Sequence, residues 1–246
     1  MKKIIASLVG QSNERGRRKS SYVADTGAET NSFYGCPCTD PISPNGIDDS
    51  PGNGNWGSWW PRAAEKWWVN QNVWIRIRNT AVGATSIVEH WCGDPSGVGT
   101  GVPYSSADGG FDPNSYLADA LAELSPSGYD EKWVFISIGQ RDAANNASLA
   151  NFQLGLENTV NYFLDNGIKV ALGFTCYQPG NATWFANNGD PGWAAALATF
   201  SGNANVIAGA NLYRTLNTNV GLYDGSHMTE SSYDQAGDAW AAISLT

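Results

Sequence analysis

A serine, an aspartate and a histidine stand in short polar motifs where apolar runs end: Ser12 in Gly10-Gln11-Ser12-Asn13, and Asp224 and His227 in Asp224-Gly225-Ser226-His227. A serine hydroxyl is a weak nucleophile until an imidazole takes its proton, and that imidazole needs a carboxylate to hold its other nitrogen. Asp224 lies three residues before His227, on one turn of chain, so it can hold one ring nitrogen while the other faces Ser12. The chemistry these residue types suit is acyl transfer, with Ser12 as nucleophile and His227 as base. Because the base must be neutral, turnover is expected to fall in acid. Backbone N–H groups at Ser12 and Gly83 are the expected donors to the developing oxyanion, and one such donor is typically worth about 10²–10³ in rate. Glycine suits position 83 because a side chain there would hinder the backbone's approach to a ligand. Gln140 or Arg141, which both carry side-chain N–H groups, are candidates for a third donor. Gln11, Asn13 and Thr85 are candidate substrate contacts. His90 is a rival base, read as an ordinary loop histidine or a substrate contact. Asp142 is read as capping the following segment or fixing the loop around Ser12 rather than as a catalytic acid.

Such motifs work only if the chain brings them to one place. Short β-rich runs alternate with helix-like stretches, the pattern of a parallel sheet wrapped by helices. Strands are predicted at residues 3–9, 73–78, 133–138, 168–174 and 205–208. Helices are predicted at 61–70, opened by proline, at 113–124, at 147–164, closed by Asn166-Gly167, at 193–200 and at 230–243. The motifs at Ser12, Gly83, Gly139-Gln140-Arg141-Asp142 and His227 all follow strands. In an open parallel sheet, ligands bind outside the carboxyl ends of the strands, near a switch in strand order. Two Gly-rich irregular stretches, about 14–60 and 92–111, interrupt the alternation. With no repeats and no linker between units, residues 1–246 read as one domain.

A net charge of −9 and a pI near 4.6 argue against nucleic acid or an anionic membrane as partner. The basic run Arg15-Gly16-Arg17-Arg18-Lys19 goes against that trend and reads as a solvated loop. Cys36, Cys38, Cys92 and Cys176 form no zinc-ligand spacing, and with only two histidines no His-rich metal centre is expected. No cofactor is implied. The opening Met1-Lys2-Lys3-Ile4-Ile5 is read as the first strand rather than a leader, and no membrane span is expected, so a cytoplasmic or a virion-associated protein would both fit. Eleven tryptophans exceed what a core of this size requires. Trp56, Trp59, Trp60, Trp67 and Trp68 are dense enough to suggest a rim that stacks on sugar rings, with Trp59 and Trp60 as candidate contacts.

Gly10-Gln11-Ser12-Asn13, the later Gly83-x-Thr85-x-Ile87 with Trp91, Gly139-x-x-Asp142-Ala143 and Asp224-x-x-His227 together resemble the GQSN branch of the SGNH/GDSL hydrolases. That branch includes sialate O-acetylesterase-like and acetylxylan-esterase-like carbohydrate esterases. The resemblance implies a flavodoxin-like α/β/α sandwich with a five-stranded parallel sheet. It implies Ser12, Asp224 and His227 as the triad, Gly83 in the oxyanion hole, and an acetylated polysaccharide or oligosaccharide as substrate. The chain departs from the pattern at Arg141, where these enzymes place the asparagine that serves as third oxyanion donor, and at Gln140, where the branch more often has glutamate. Two alternatives remain open at this point: a glycan-binding module, such as a viral tail or adhesin component, that keeps the esterase fold, and a lipase-like or thioesterase activity on longer chains.

Overall fold

Residues 4–10 are buried without exception, and a strand hidden on both faces needs a layer of helices above and below it. This run forms β1, Lys2–Gly10, followed along the chain by β2, Val73–Arg78, β3, Glu131–Ser137, β4, Lys169–Phe174, and β5, Val206–Asn211. The computed structural model describes residues 1–11, 59–78, 80–81, 83, 85–91, 116–216, 221–222 and 225–246. Ser12, Asn13, Asp224, the basic run at 15–19, Cys36, Cys38, Trp56, Cys92 and most of the two irregular stretches lie outside the described residues.

The five strands form one parallel sheet in the order β2-β1-β3-β4-β5. The α/β sheet predicted from the alternation is therefore present, with strand bounds within a few residues of those predicted. Its helices are α1, Trp60–Gln71, α2, Tyr116–Ala122, α3, Gln140–Ala144, α4, Leu149–Asp165, α5, Asp190–Thr199, α6, Leu212–Leu216, and α7, Glu230–Ala241. The turns Ala182–Trp184 and Phe185–Gly189 lead into α5. Ser148 caps α4 by accepting a hydrogen bond from the Asn151 N–H at 3.2 Å. Asn72, at φ 53°, closes α1 in the left-handed region.

Side chains alternate across each strand, and this sorts the core into two layers. Ile4, Ala6 and Leu8 of β1, with Trp133 and Phe135 of β3, face α1, α6 and α7. Ile5, Val9, Val134 and Ile136 face α2, α4 and α5 on the opposite side. In α1 the buried residues Trp60, Ala63, Ala64 and Trp67 fall at the spacing of a single helical stripe. The helix lies so close to α7 that a Cβ on Gly237 would stand 3.0 Å from the Trp59 carbonyl oxygen.

That packing corrects one expectation. Trp59 and Trp60 are 0% and 1% exposed and offer no rim for a sugar. Trp60 stacks on Phe135 at 5.4 Å between ring centroids and meets Trp240 at 4.8 Å, while Trp59 meets Tyr233 at 5.6 Å. Tryptophan density marks a place of large aromatic area, but the direction in which those rings point depends on where α7 docks. No helix among the described residues is long and apolar enough to cross a membrane.

Candidate active site

With β1 between β2 and β3, the chain order reverses at the β1/β3 boundary, the point at which an open parallel sheet forms a crevice beyond the carboxyl ends of its strands. Gln11 leaves β1 at this point, and Gly139 and Gln140 leave β3. Gly139 has φ 141°, and a Cβ there would lie 2.7 Å from Phe174 Cε2, so only glycine lets the chain turn off β3 beneath that ring.

Buried amides lock the crevice floor. Gln11 Nε2 donates to Gln140 Oε1, and the Arg141 N–H donates to Gln11 Oε1 at 3.1 Å. Gln140 Nε2 in turn donates to Cys176 Sγ at 3.1 Å and to the Ser226 carbonyl at 3.4 Å. Through one side chain the ends of β1 and β3, the segment after β4, and the residue before His227 are joined. Gln11 and Gln140 are only 4% and 2% exposed. Both were expected at the reacting centre, Gln11 as a substrate contact and Gln140 as an oxyanion donor. They instead hold the floor, because their polar atoms face other parts of the protein. The Arg141 side chain is exposed and its N–H points at Gln11. His227 is half-buried.

The β2 side of the crevice is fastened by hydroxyls. Thr80 Oγ1 accepts from the Leu8 N–H at 2.9 Å and donates to the Leu8 carbonyl at 2.5 Å, extending the contact of β1 beyond the end of β2. Two residues further along β1, Thr85 Oγ1 donates to the Gly10 carbonyl at 3.3 Å and accepts from Trp91 Nε1 at 2.8 Å. Thr85, predicted to touch substrate, is 2% exposed and acts as a tie between β1 and the turn Ile87–Trp91. Gly83 is half-buried, and a Cβ built on it would meet nothing within 4 Å among the described residues. None of the described residues packs so closely as to ask for glycine there.

Asp142 is fully buried and accepts from the Ile87 and Val88 N–H groups, both at 3.1 Å. Burial pushes its carboxyl up to about 7, against the pull of those two donors. It fastens the turn Ile87–Trp91 to α3, whereas the loop around Ser12 that it was expected to fix lies outside the described residues. The Ser86 N–H donates to His90 Nδ1 at 3.2 Å, which keeps that ring nitrogen an acceptor. Burial lowers the His90 pKa; Glu89 raises it and Arg141 lowers it further, both to a smaller extent. A polar cavity of about 250 Å³ lies beside this turn, lined in part by Glu89, Asp142, Asn145 and Asn151.

No family model and no curated protein matches the sequence. Several solved structures share its fold. A protein of the G-D-S-L lipolytic family from Desulfitobacterium hafniense is similar over 98% of both chains, with a TM-score of 0.52 and 16% identity. A protein from Arabidopsis thaliana gives a TM-score of 0.57 at 15% identity, over 97% of this chain and 95% of that one. A member of the lipolytic protein G-D-S-L family from Veillonella parvula gives 0.51 at 11%, over 96% and 95%. The chain has the fold of G-D-S-L lipolytic proteins. In open parallel sheets of this kind ligands bind beyond the carboxyl ends of the strands at the switch in strand order, here between β1 and β3. Among the described residues no three His, Cys, Asp or Glu side chains gather as they would around a metal ion. Sequence reasoning missed Cys176 and Ser226 as members of this site. The available signal was that Cys176, like the motifs it joins, follows directly on an apolar strand.

Proposed function

We propose that the chain is a serine esterase that removes a small acyl group, acetyl foremost, from a carbohydrate. The bridge through Gln140 carries this reading: it ties Gln11, the residue before Ser12, to Ser226, the residue before His227. These chain points are far apart in sequence, and a shared buried amide holds them near one another. In the proposed reaction Ser12 Oγ attacks the ester carbonyl while His227 accepts its proton and Asp224 holds the imidazole. The N–H groups of Ser12 and Gly83 receive the oxyanion. The tetrahedral adduct then expels the sugar oxygen, which takes the proton from His227. Water, deprotonated by the same ring, attacks the acyl-enzyme and releases acetate, restoring Ser12. The low charged fraction of 15% and the acidic net charge favour a neutral polyhydroxyl partner over a polyanion.

The test is a chromogenic acetyl ester and a panel of acetylated oligosaccharides, run beside a serine-directed covalent probe and the Ser12→Ala variant. Turnover of the acetyl esters, labelling at Ser12, and loss of both in the variant are expected. An unlabelled Ser12, or a variant as active as the parent, would overturn the reading, and a preference for long acyl chains would overturn its acetyl part.

A further inference from the structure

We propose that the polar cavity beside α3 is a sugar subsite, which takes a further residue of the carbohydrate chain that bears the acyl group; the link to the acyl group rests on the esterase reading above. The cavity holds about 250 Å³, and Ser86, Glu89, Asp142, Asn145, Asn146 and Asn151 are among its lining. It neighbours the crevice through α3. That helix supplies Gln140 to the crevice floor and Asp142, two residues on, to the cavity, so the two side chains leave it in nearly opposite directions. The exposed Arg141 stands between them. The chemistry of the lining selects the ligand. Asn145 Nδ2 donates to Glu89 Oε2, which leaves the Asn145 side-chain oxygen to accept from a ligand. Among the described residues the Asn146 and Asn151 side chains have no hydrogen-bond partner, so two complete amides, each with donors and an acceptor, line one hollow. A hydroxyl also both donates and accepts, and a pyranose ring presents several at fixed spacing, which suits amides set around a small cavity. An anion would be repelled by Glu89 and Asp142. A metal cation would compete for carboxylate oxygens that already accept from the Ile87 and Val88 N–H groups and from Asn145. A neutral polyhydroxyl ligand meets neither obstacle.

Two substitutions remove the amides without disturbing the backbone. Asn151→Ala keeps the N–H that donates to Ser148 Oγ and suits a helix. Asn146→Gly keeps the left-handed turn at φ 53°. Binding is read by NMR titration with unacetylated xylo-, manno- and gluco-tetraoses and the matching monosaccharides, which needs no turnover. At least one tetraose should shift the side-chain amide resonances of Asn145, Asn146 and Asn151 saturably, and bind more tightly than its monosaccharide. Each substitution should weaken that tetraose about 3–10-fold, and the pair about 10–100-fold. On the acetylated form of the same tetraose the variants should raise KM by similar factors, with kcat within about two-fold of the parent's. The absence of a saturable shift at these amides with any tetraose, an unchanged affinity in both variants, or saturation by Ca²⁺ or Mg²⁺ instead of sugar would overturn the inference. Tetraose binding that depends on Asn151, beside an unmoved KM on the acetylated chain, would overturn its place in the substrate path. Failure of the esterase reading would show separately, as an unlabelled Ser12 in the parent protein.

Discussion

Two buried regions meet along β3 and are built in opposite ways. Between the sheet, α1 and α7, Trp59, Trp60, Trp67, Phe135 and Trp240 pack ring against ring. Beyond the carboxyl ends of β1 and β3 the buried side chains are Gln11, Thr85, Ser86, Gln140 and Asp142. Among the described residues Trp59 Nε1 and Trp240 Nε1 find no hydrogen-bond partner, while their rings pack on aromatic neighbours. In the polar region Gln11, Thr85, Gln140 and Asp142 are tied to a neighbouring segment. Apolar contact is non-directional, so the first region fixes how firmly the layers adhere. Hydrogen bonds fix angle and distance, so the second fixes where individual residues stand. Damage to the first should therefore appear as lost stability, and damage to the second as altered chemistry.

Substitutions can break or sharpen that contrast. The largest effect belongs to Ser12→Ala, expected to cost turnover on the order of 10⁴-fold or more with an unfolding midpoint close to the parent's. Denaturant unfolding of Trp60→Ala should show a loss of about 3–5 kcal/mol, while the folded fraction keeps its specific activity. A parallel fall in activity per folded molecule would remove the division between the two regions.

Asp142 gives a pH-dependent contrast. Because burial lifts its carboxyl to about 7, the folded protein holds this proton more tightly than the unfolded chain does. Its contribution to stability is then fully present below about pH 4, the ordinary carboxylate range, and is withdrawn as pH rises through about 7. Asp142→Asn removes that slope, so across a pH 4–7 series of urea titrations the variant should gain on the parent as pH rises. Parallel stability curves would show that the carboxyl is ionised throughout.

The smallest effect lies inside the aromatic region. Trp67 Nε1 donates to the Ile243 carbonyl at 3.1 Å, whereas Trp59 Nε1 finds no partner among the described residues. Both side chains are 0% exposed, so Phe at either site removes similar volume. Trp59→Phe should be milder than Trp67→Phe by about 1–2 kcal/mol, measured by thermal or urea unfolding. Equal losses would mean that the Trp67 hydrogen bond contributes nothing net.

The strands were legible because burial on both faces leaves a local mark: a near-continuous apolar run such as Trp133–Ile138 needs no knowledge of its neighbours. The long helices were legible from their stripes and ends, as in the stop at Asn166-Gly167. α3, α6 and the turn Ile87–Trp91 were missed because one or two turns carry no periodicity to detect. Asp142 was read as structural, but its partners Ile87 and Val88, 55 and 54 residues away, were not legible. Trp59 and Trp60 were misread, since a core and a sugar platform demand the same aromatic area.

What the sequence by itself determined is therefore the set of pieces: five strands, the helices between them, and polar motifs at the strand ends. Alternation and apolar runs are short-range consequences of which faces avoid water. Only the tertiary structure decided that β1 lies between β2 and β3, which side of the sheet receives the tryptophans, and that Gln140 joins residue 11 to residue 226. Those outcomes depend on contacts between segments distant in sequence, 71 residues in the case of Lys2 and Val73 and 129 in the case of Gln11 and Gln140. Such contacts are chosen by the packing of whole layers, and no local spacing encodes them.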